Sequence, residues 1–137
     1  MKTASVKELK TELKDCSNSE LIELVLQLSK FKKENKELLT YLLYMASDED
    51  AYISNIKIEV DNLFDNINTS SYYFIRKSVR KILRIVKTYI RYSKKKETEV
   101  ELLLYFCMHL KNLKPSINRN TTLKNLYERQ ILFIKKV

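Results

Sequence analysis

The 137-residue chain has no glycine and no tryptophan, one proline (Pro115), one histidine (His109) and two cysteines (Cys16 and Cys107). Glycine supplies the positive φ of tight hairpin turns and lets the backbone approach phosphates closely, so its absence argues against β-hairpins. It also removes the P-loop, the dinucleotide-binding fingerprint and the nucleophile elbow, each of which needs glycines at fixed spacing. Two cysteines far apart in sequence make no disulfide framework. A single histidine with no cysteine or carboxylate cluster beside it gives no metal site of ordinary spacing, and no cofactor motif is present. The charge-free apolar stretches, near 38–47 and 102–110, fall short of the about 18 apolar residues that span a bilayer. The opening MKTASVKELK has no apolar secretory core, which makes the cytoplasm the expected location.

One further absence is local. No acidic residue occurs between Asp65 and Glu97. Within that gap, residues 76–96 read RKSVRKILRIVKTYIRYSKKK and hold ten of the 26 Lys and Arg, leaving 16 bases against 17 acids elsewhere. The formal net charge of +9 is therefore carried by one predicted helix and the link after it.

With 45% hydrophobic and 31% charged residues, the composition is that of a folded domain, read as one domain over 1–137. Ser5 with Glu8, and Ser17 with Glu20, form capping-box patterns that start two short helices. Val6, Leu9 and Leu13 line the first; Leu21, Leu24, Val25 and Leu28 line the second. Joined by DCSNS, they are expected to form a helical hairpin. Asn35 is the expected cap of a third helix over 36–46, with Leu38, Leu39, Leu42 and Met45 as its stripe and the hydroxyls of Tyr41 and Tyr44 reaching water. A fourth helix follows the acidic run Asp48, Glu49 and Asp50, with Ile53, Ile56, Val60, Leu63 and Phe64 at helical spacing. Capping explains that run better than a hard-cation site, because the glycine and downstream glutamate of a calcium loop are missing.

The fifth helix is the longest. It spans about 72–93, is capped by Ser70 or Ser71, and buries Tyr72, Ile75, Val79, Ile82, Leu83, Val86 and Ile90. Its bases lie from about 60° to 200° away from Val79, while Ile85, Tyr89 and Tyr92 suggest a second packing flank. Thr98 is the expected cap of a sixth helix that is apolar nearly all round, the pattern of a buried central helix; Pro115 ends it. The last helix starts near Thr122 and offers Leu123, Leu126, Tyr127, Ile131 and Ile134. The expected fold is all-α, a bundle or irregular stack of six to seven helices with no sheet.

Cys107 and His109 lie two positions apart and face different sides of their helix, so they make no nucleophile–base pair. A core thiol and a packed or rim histidine are the expected roles; a general base would need a carboxylate from elsewhere in the fold. The candidate polyanion-binding residues are Lys77, Arg80, Lys81, Arg84, Lys87, Arg91 and Lys95, a stripe about 27 Å long at about 1.5 Å per residue. Nucleic-acid phosphates are the leading ligand, with Tyr73 and Tyr92 available for stacking. A competing reading is intramolecular: Glu59, Asp61 and Asp65 of the acidic fourth helix screen part of the stripe.

The opening KELKTELKDCSNSELIELVLQL resembles the start of an uncharacterised bacterial all-helical family. Its members begin with a KELK-x-EL hairpin and later carry a basic helix and a Leu-Tyr-rich helix, here 76–87 and 102–105. The same opening is faintly similar to the SAP nucleic-acid-binding hairpin, from which it departs in lacking the glycine at the bend. Neither resemblance brings catalytic residues. The expected function is a non-enzymatic helical interaction module whose partner is a protein or a second copy; the alternative is a nucleic-acid-binding accessory protein using residues 76–96.

Overall fold

The computed structural model describes residues 1–137 and contains seven α-helices, a π-turn, a 3-10 turn and no strand. Contacts divide the chain into two compact units, Met1–Leu43 and Tyr44–Val137. No helix is long and apolar enough to cross a membrane.

In the first unit, α1 (Val6–Lys14) and α2 (Asn18–Phe31) start where their capping boxes place them. The Ser5 hydroxyl accepts from Glu8 N and the Glu8 carboxylate accepts from Ser5 N; Ser17 and Glu20 repeat the exchange. These bonds satisfy amide groups that a helix start leaves open, and they need no tertiary partner. The expected hairpin of the first two helices does not form: every α1 residue is exposed, and α2 packs instead against α3 (Lys33–Thr40). Only residues 15–17 separate α1 from α2, and each cap bonds within its own helix, so α1 stands as a separate short rod.

Asn35 is not a cap. Helix α3 begins at Lys33 after an extended Lys32 with no side-chain cap, and Asn35 Nδ2 donates to the Leu28 carbonyl at 2.8 Å. An orphan carbonyl at the end of α2 thus receives the amide, which ties the two helices together. Helix α3 runs into a π-turn at Tyr41–Met45. Tyr41 is buried there rather than reaching water, while Tyr44 is exposed.

The second unit is built around α6 (Lys96–Lys111), which packs against α4 (Glu49–Asp65), α5 (Tyr72–Ser93) and α7 (Thr121–Lys136). Leu102, Leu103, Phe106, Cys107 and Leu110 are buried, but Leu104 and Met108 are exposed, so the helix expected to be covered nearly all round is covered on one broad side of about 140°. Helix α5 starts after Ser71, whose hydroxyl accepts from Phe74 N, and ends at Ser93. It buries Ile75, Val79, Ile82, Val86 and Ile90 on one stripe, with Tyr92 buried on the second flank. Helix α4 contributes Ile53, Ile56, Val60 and Phe64; the Phe64 and Phe106 rings sit 5.7 Å apart. Truncating one of these fully buried aliphatic chains to alanine costs about 2–5 kcal/mol.

Helix α7 buries Leu123, Leu126 and Gln130, whereas Tyr127, Ile131 and Ile134 are half-buried. Three tyrosine hydroxyls stitch the unit. Tyr52 donates to the Tyr89 carbonyl and Tyr72 to the Ser116 carbonyl, both at 2.7 Å, and Tyr89 donates to Glu59 Oε2 at 2.7 Å.

Thr98 does not cap α6. It is 1% exposed, and its hydroxyl donates to Glu49 Oε2, which also accepts from Ser93 Oγ. The N-cap is Lys95, with no side-chain cap bond. One carboxylate from the start of α4 therefore holds the end of α5 and the first turn of α6.

Lys94 ends α5 with φ 61°, in the left-handed region where a glycine would normally stand. A side chain there costs about 1 kcal/mol, and this glycine-free chain accepts it. Lys94→Gly is expected to raise stability by about 0.5–1 kcal/mol in urea denaturation, part of the gain being offset by the freer unfolded chain.

Candidate polyanion interface

The candidate site is the outward side of α5. With Ile75, Val79, Val86 and Ile90 fixed in the core, geometry at 100° per residue sends Arg80, Arg84, Lys87 and Arg91 to the surface in one row. Lys77 and Lys81 lie beside that row. All six are exposed, as is Lys95. Tyr73, also on this side, is 60% exposed and meets the Phe74 ring edge-on at 5.3 Å. The long side chains of Tyr73, Arg76, Lys77, Arg80, Lys81 and Arg84 border an open furrow lined by α5 alone, so a ligand there would meet a convex charged rod.

The acids of α4 decide how much of this charge is free. Helix α4 packs against α5, as expected for the sequence-adjacent neighbour, yet its carboxylates turn elsewhere. Asp48 caps its own helix by accepting from Ala51 N at 3.1 Å. Glu59 accepts from Tyr89, and Asp61 accepts from Tyr105 and His109. Asp65 is exposed with no cation at ion-pair distance. Only Glu49 reaches the stripe, at its far end, with Oε1 3.9 Å from Lys95 Nζ.

The expected screening by Glu59, Asp61 and Asp65 is therefore absent, and the one partner is a residue the sequence marked only as part of a helix start. Lys77, Arg80, Lys81, Arg84, Lys87 and Arg91 have no carboxylate at ion-pair distance. Lys95 stands apart from them. Its ammonium lies beside Glu49, after the chain has left α5 through the left-handed Lys94. Tyr92 is buried and unavailable for stacking, which leaves Tyr73 as the exposed ring of the pair.

A second polar cluster joins α4 to α6. Tyr105 and His109, four residues apart on α6, both reach Asp61 Oδ1; the His109 Nε2 distance is 2.6 Å. A carboxylate oxygen only accepts, so Nε2 is the protonated nitrogen. Phe64 stacks on the His109 ring at 4.8 Å and 11°, and Tyr105 meets it edge-on at 5.0 Å. Lys57 bonds Glu101 at 2.9 Å and lies over the Tyr105 ring at 5.1 Å. The carboxylate that a histidine base would require is thus present. The 105/109 spacing was the signal for two neighbouring rings, but nothing in the sequence assigned Asp61 to them.

The Tyr105 hydroxyl, first, and His109 hold the Asp61 carboxyl below its ordinary value against an opposing effect of burial. The same bond pushes the Tyr105 hydroxyl up to about 12. No group of three or more His, Cys, Asp or Glu side chains comes together as metal ligands. Burial pushes the Cys107 thiol up to about 11, so it stays protonated at neutral pH and is a poor nucleophile.

Searches against protein families, curated proteins and solved structures return no match.

Two expectations follow. A maleimide in excess should modify one thiol of the native chain, at the half-exposed Cys16, and two thiols in denaturant, read by mass spectrometry. A carboxyl with a depressed folded pKa stabilises above its unfolded value, about pH 4, and loses that contribution as pH falls through the depressed value. The stability advantage of the native chain over Tyr105→Phe is therefore expected at pH 7 and should shrink on acidification in urea denaturation. Because the Asp61 side chain is 43% exposed, the advantage should be below about 1 kcal/mol.

Proposed function

We propose that this chain is a non-enzymatic binding protein that engages the phosphate backbone of nucleic acid through the outward side of α5. The observation that carries the reading is the set of six exposed cations on one helix with no carboxylate at ion-pair distance, beside an acidic helix whose Glu59 and Asp61 bond tyrosines and a histidine. A run of positive charge that is merely a solvated surface gains from nearby carboxylates; leaving six such charges unpaired raises their mutual repulsion and favours a polyanion.

From Lys77 to Arg91 the row is about 21 Å long, at about 1.5 Å per residue. Over about 21 Å of duplex axis the two strands together present about twelve phosphates, at about 1.7 Å each, enough to meet all six cations. Contact of this kind reads backbone rather than bases, because the side chains point outward from a convex rod and no recognition element accompanies them. Tyr73 adds a ring at one end on which an unpaired base can stack. An anionic bilayer fits less well. An interfacial helix inserts its apolar side, and in α5 that side is committed to the core through Ile75, Val79, Ile82, Val86 and Ile90.

The test is binding of the full chain to a random-sequence duplex and to a single strand, titrated across salt by fluorescence anisotropy. Six phosphate contacts predict a log–log slope of about −5 on duplex and about −4 on single strand. Replacing Lys81, Arg84 and Arg91 together by Gln should reduce the duplex slope to about −3 with helicity unchanged. Lys95→Gln should change affinity less than Arg84→Gln. Absence of binding at low salt removes the reading.

A further inference from the structure

The first unit, Met1–Leu43, has a different surface from the second. Eleven large apolar side chains between Val6 and Leu43 are at least 40% exposed, against nine in the 94 residues of the second unit. They include Val6 at 83%, Leu9 at 51% and Leu13 at 42% on α1, and Leu28 at 64% and Phe31 at 78% on α2. No residue of α1 or α3 is buried, and α2 buries only Ser29. The three helices therefore share little core to hold them together, although α1 and α2 have full capping boxes. A nine-residue helix such as α1 is marginal in water unless its apolar side is covered, and folded units near 40 residues commonly need oligomerisation.

We propose that the apolar stripe of α1 is covered by the same stripe of a second copy, with the two α1 helices side by side and parallel. Continuity is the first argument. Val6, Leu9 and Leu13 fall within about 60° of one another around α1 and are 83%, 51% and 42% exposed, so they form one unbroken apolar stripe facing water.

Charge is the second. The unit carries eight lysines and seven acids, a net of +1, whereas residues 44–137 carry the remaining +8. A polyanion therefore gains little at this face, and a second copy meets it without net repulsion. On α1 the apolar stripe of Val6, Leu9 and Leu13 has Lys10 and Lys14 on one side and Glu8 and Glu12 on the other, at 100° per residue. Parallel pairing about a two-fold axis sets the lysine side of each helix against the acidic side of its mate. Antiparallel pairing would set like charges together. Cys16 continues the stripe just beyond Leu13 and is half-exposed, so parallel pairing brings the two copies' Cys16 thiols near the axis.

The experiment uses the full chain, nuclease-treated and held at about 0.5 M salt, where phosphate bridging is suppressed. Sedimentation equilibrium is run across protein concentration. The expected mass rises to twice 16.4 kDa. Leu9→Glu with Leu13→Glu should return it to 16.4 kDa with second-unit helicity retained, because both side chains already face water and support no core. Leu104→Glu with Met108→Glu, on the exposed side of α6, should leave the dimer intact. Mild oxidation should crosslink wild-type chains through Cys16, and the crosslink should be lost in Cys16→Ser and in the α1 double variant. A monomeric mass at the highest concentration, as a different protein partner or covering within one chain would give, overturns the proposal. So does a dimer that the α6 variant dissociates and the α1 variant does not. Loss of nucleic-acid binding leaves these masses unaffected, so the two readings fail separately.

Discussion

Helix α6 packs against three helices at once. Leu102, Leu103, Phe106, Cys107 and Leu110 spread over about 140° of its circumference and are all buried, while Leu104 and Met108 face water. An apolar side that broad needs more than one neighbour, and α4, α5 and α7 cover it. The rest of the second unit follows from this demand. Once α5 gives Ile75, Val79, Ile82, Val86 and Ile90 to the core, the 3.6-residue period leaves its bases facing outward. The basic surface is a by-product of core geometry.

Polar bonds then decide how much of that charge remains free. Tyrosine hydroxyls and a histidine take up Glu59 and Asp61, while Ser93 and Thr98 take up Glu49. Each of these donors lies between packed helices, and for Thr98, which is fully buried, the charged acceptor satisfies a hydroxyl that would otherwise have no partner. Glu49, Glu59 and Asp61 join helices, and six cations of α5 keep their charge exposed. The first unit has the opposite character. Its apolar side chains are exposed and its net charge is near zero, so any partner there is selected by apolar contact, in contrast to the charge selection available along α5.

Local rules were readable wherever both partners lie within one turn of helix. Ser5 with Glu8, Ser17 with Glu20, and the Ser70–Ser71 pair before α5 are visible in the sequence because capping involves residues three apart. Asn35 and Thr98 misled for the same reason. Each has the chemistry of a cap, but its hydrogen bond goes to a group the sequence does not place nearby: the Leu28 carbonyl and the Glu49 carboxylate. The supposed hairpin of the first two helices failed likewise, since amphipathic stripes announce that a helix will pack without naming its partner.

By itself the sequence determined the all-α class, the limits of the long basic helix, the central place of the sixth helix and the absence of glycine-dependent chemistry. These depend on backbone stereochemistry and on periodicity along one helix, which neighbouring residues fix. Only the tertiary structure decided which carboxylates meet which donors: that α4 bonds tyrosines and a histidine, that Glu49 holds Lys95, and that six cations of α5 stay unpaired. The reason is range. An ion pair or hydrogen bond forms between atoms about 3–4 Å apart, and whether residues forty positions apart come that close is set by helix packing.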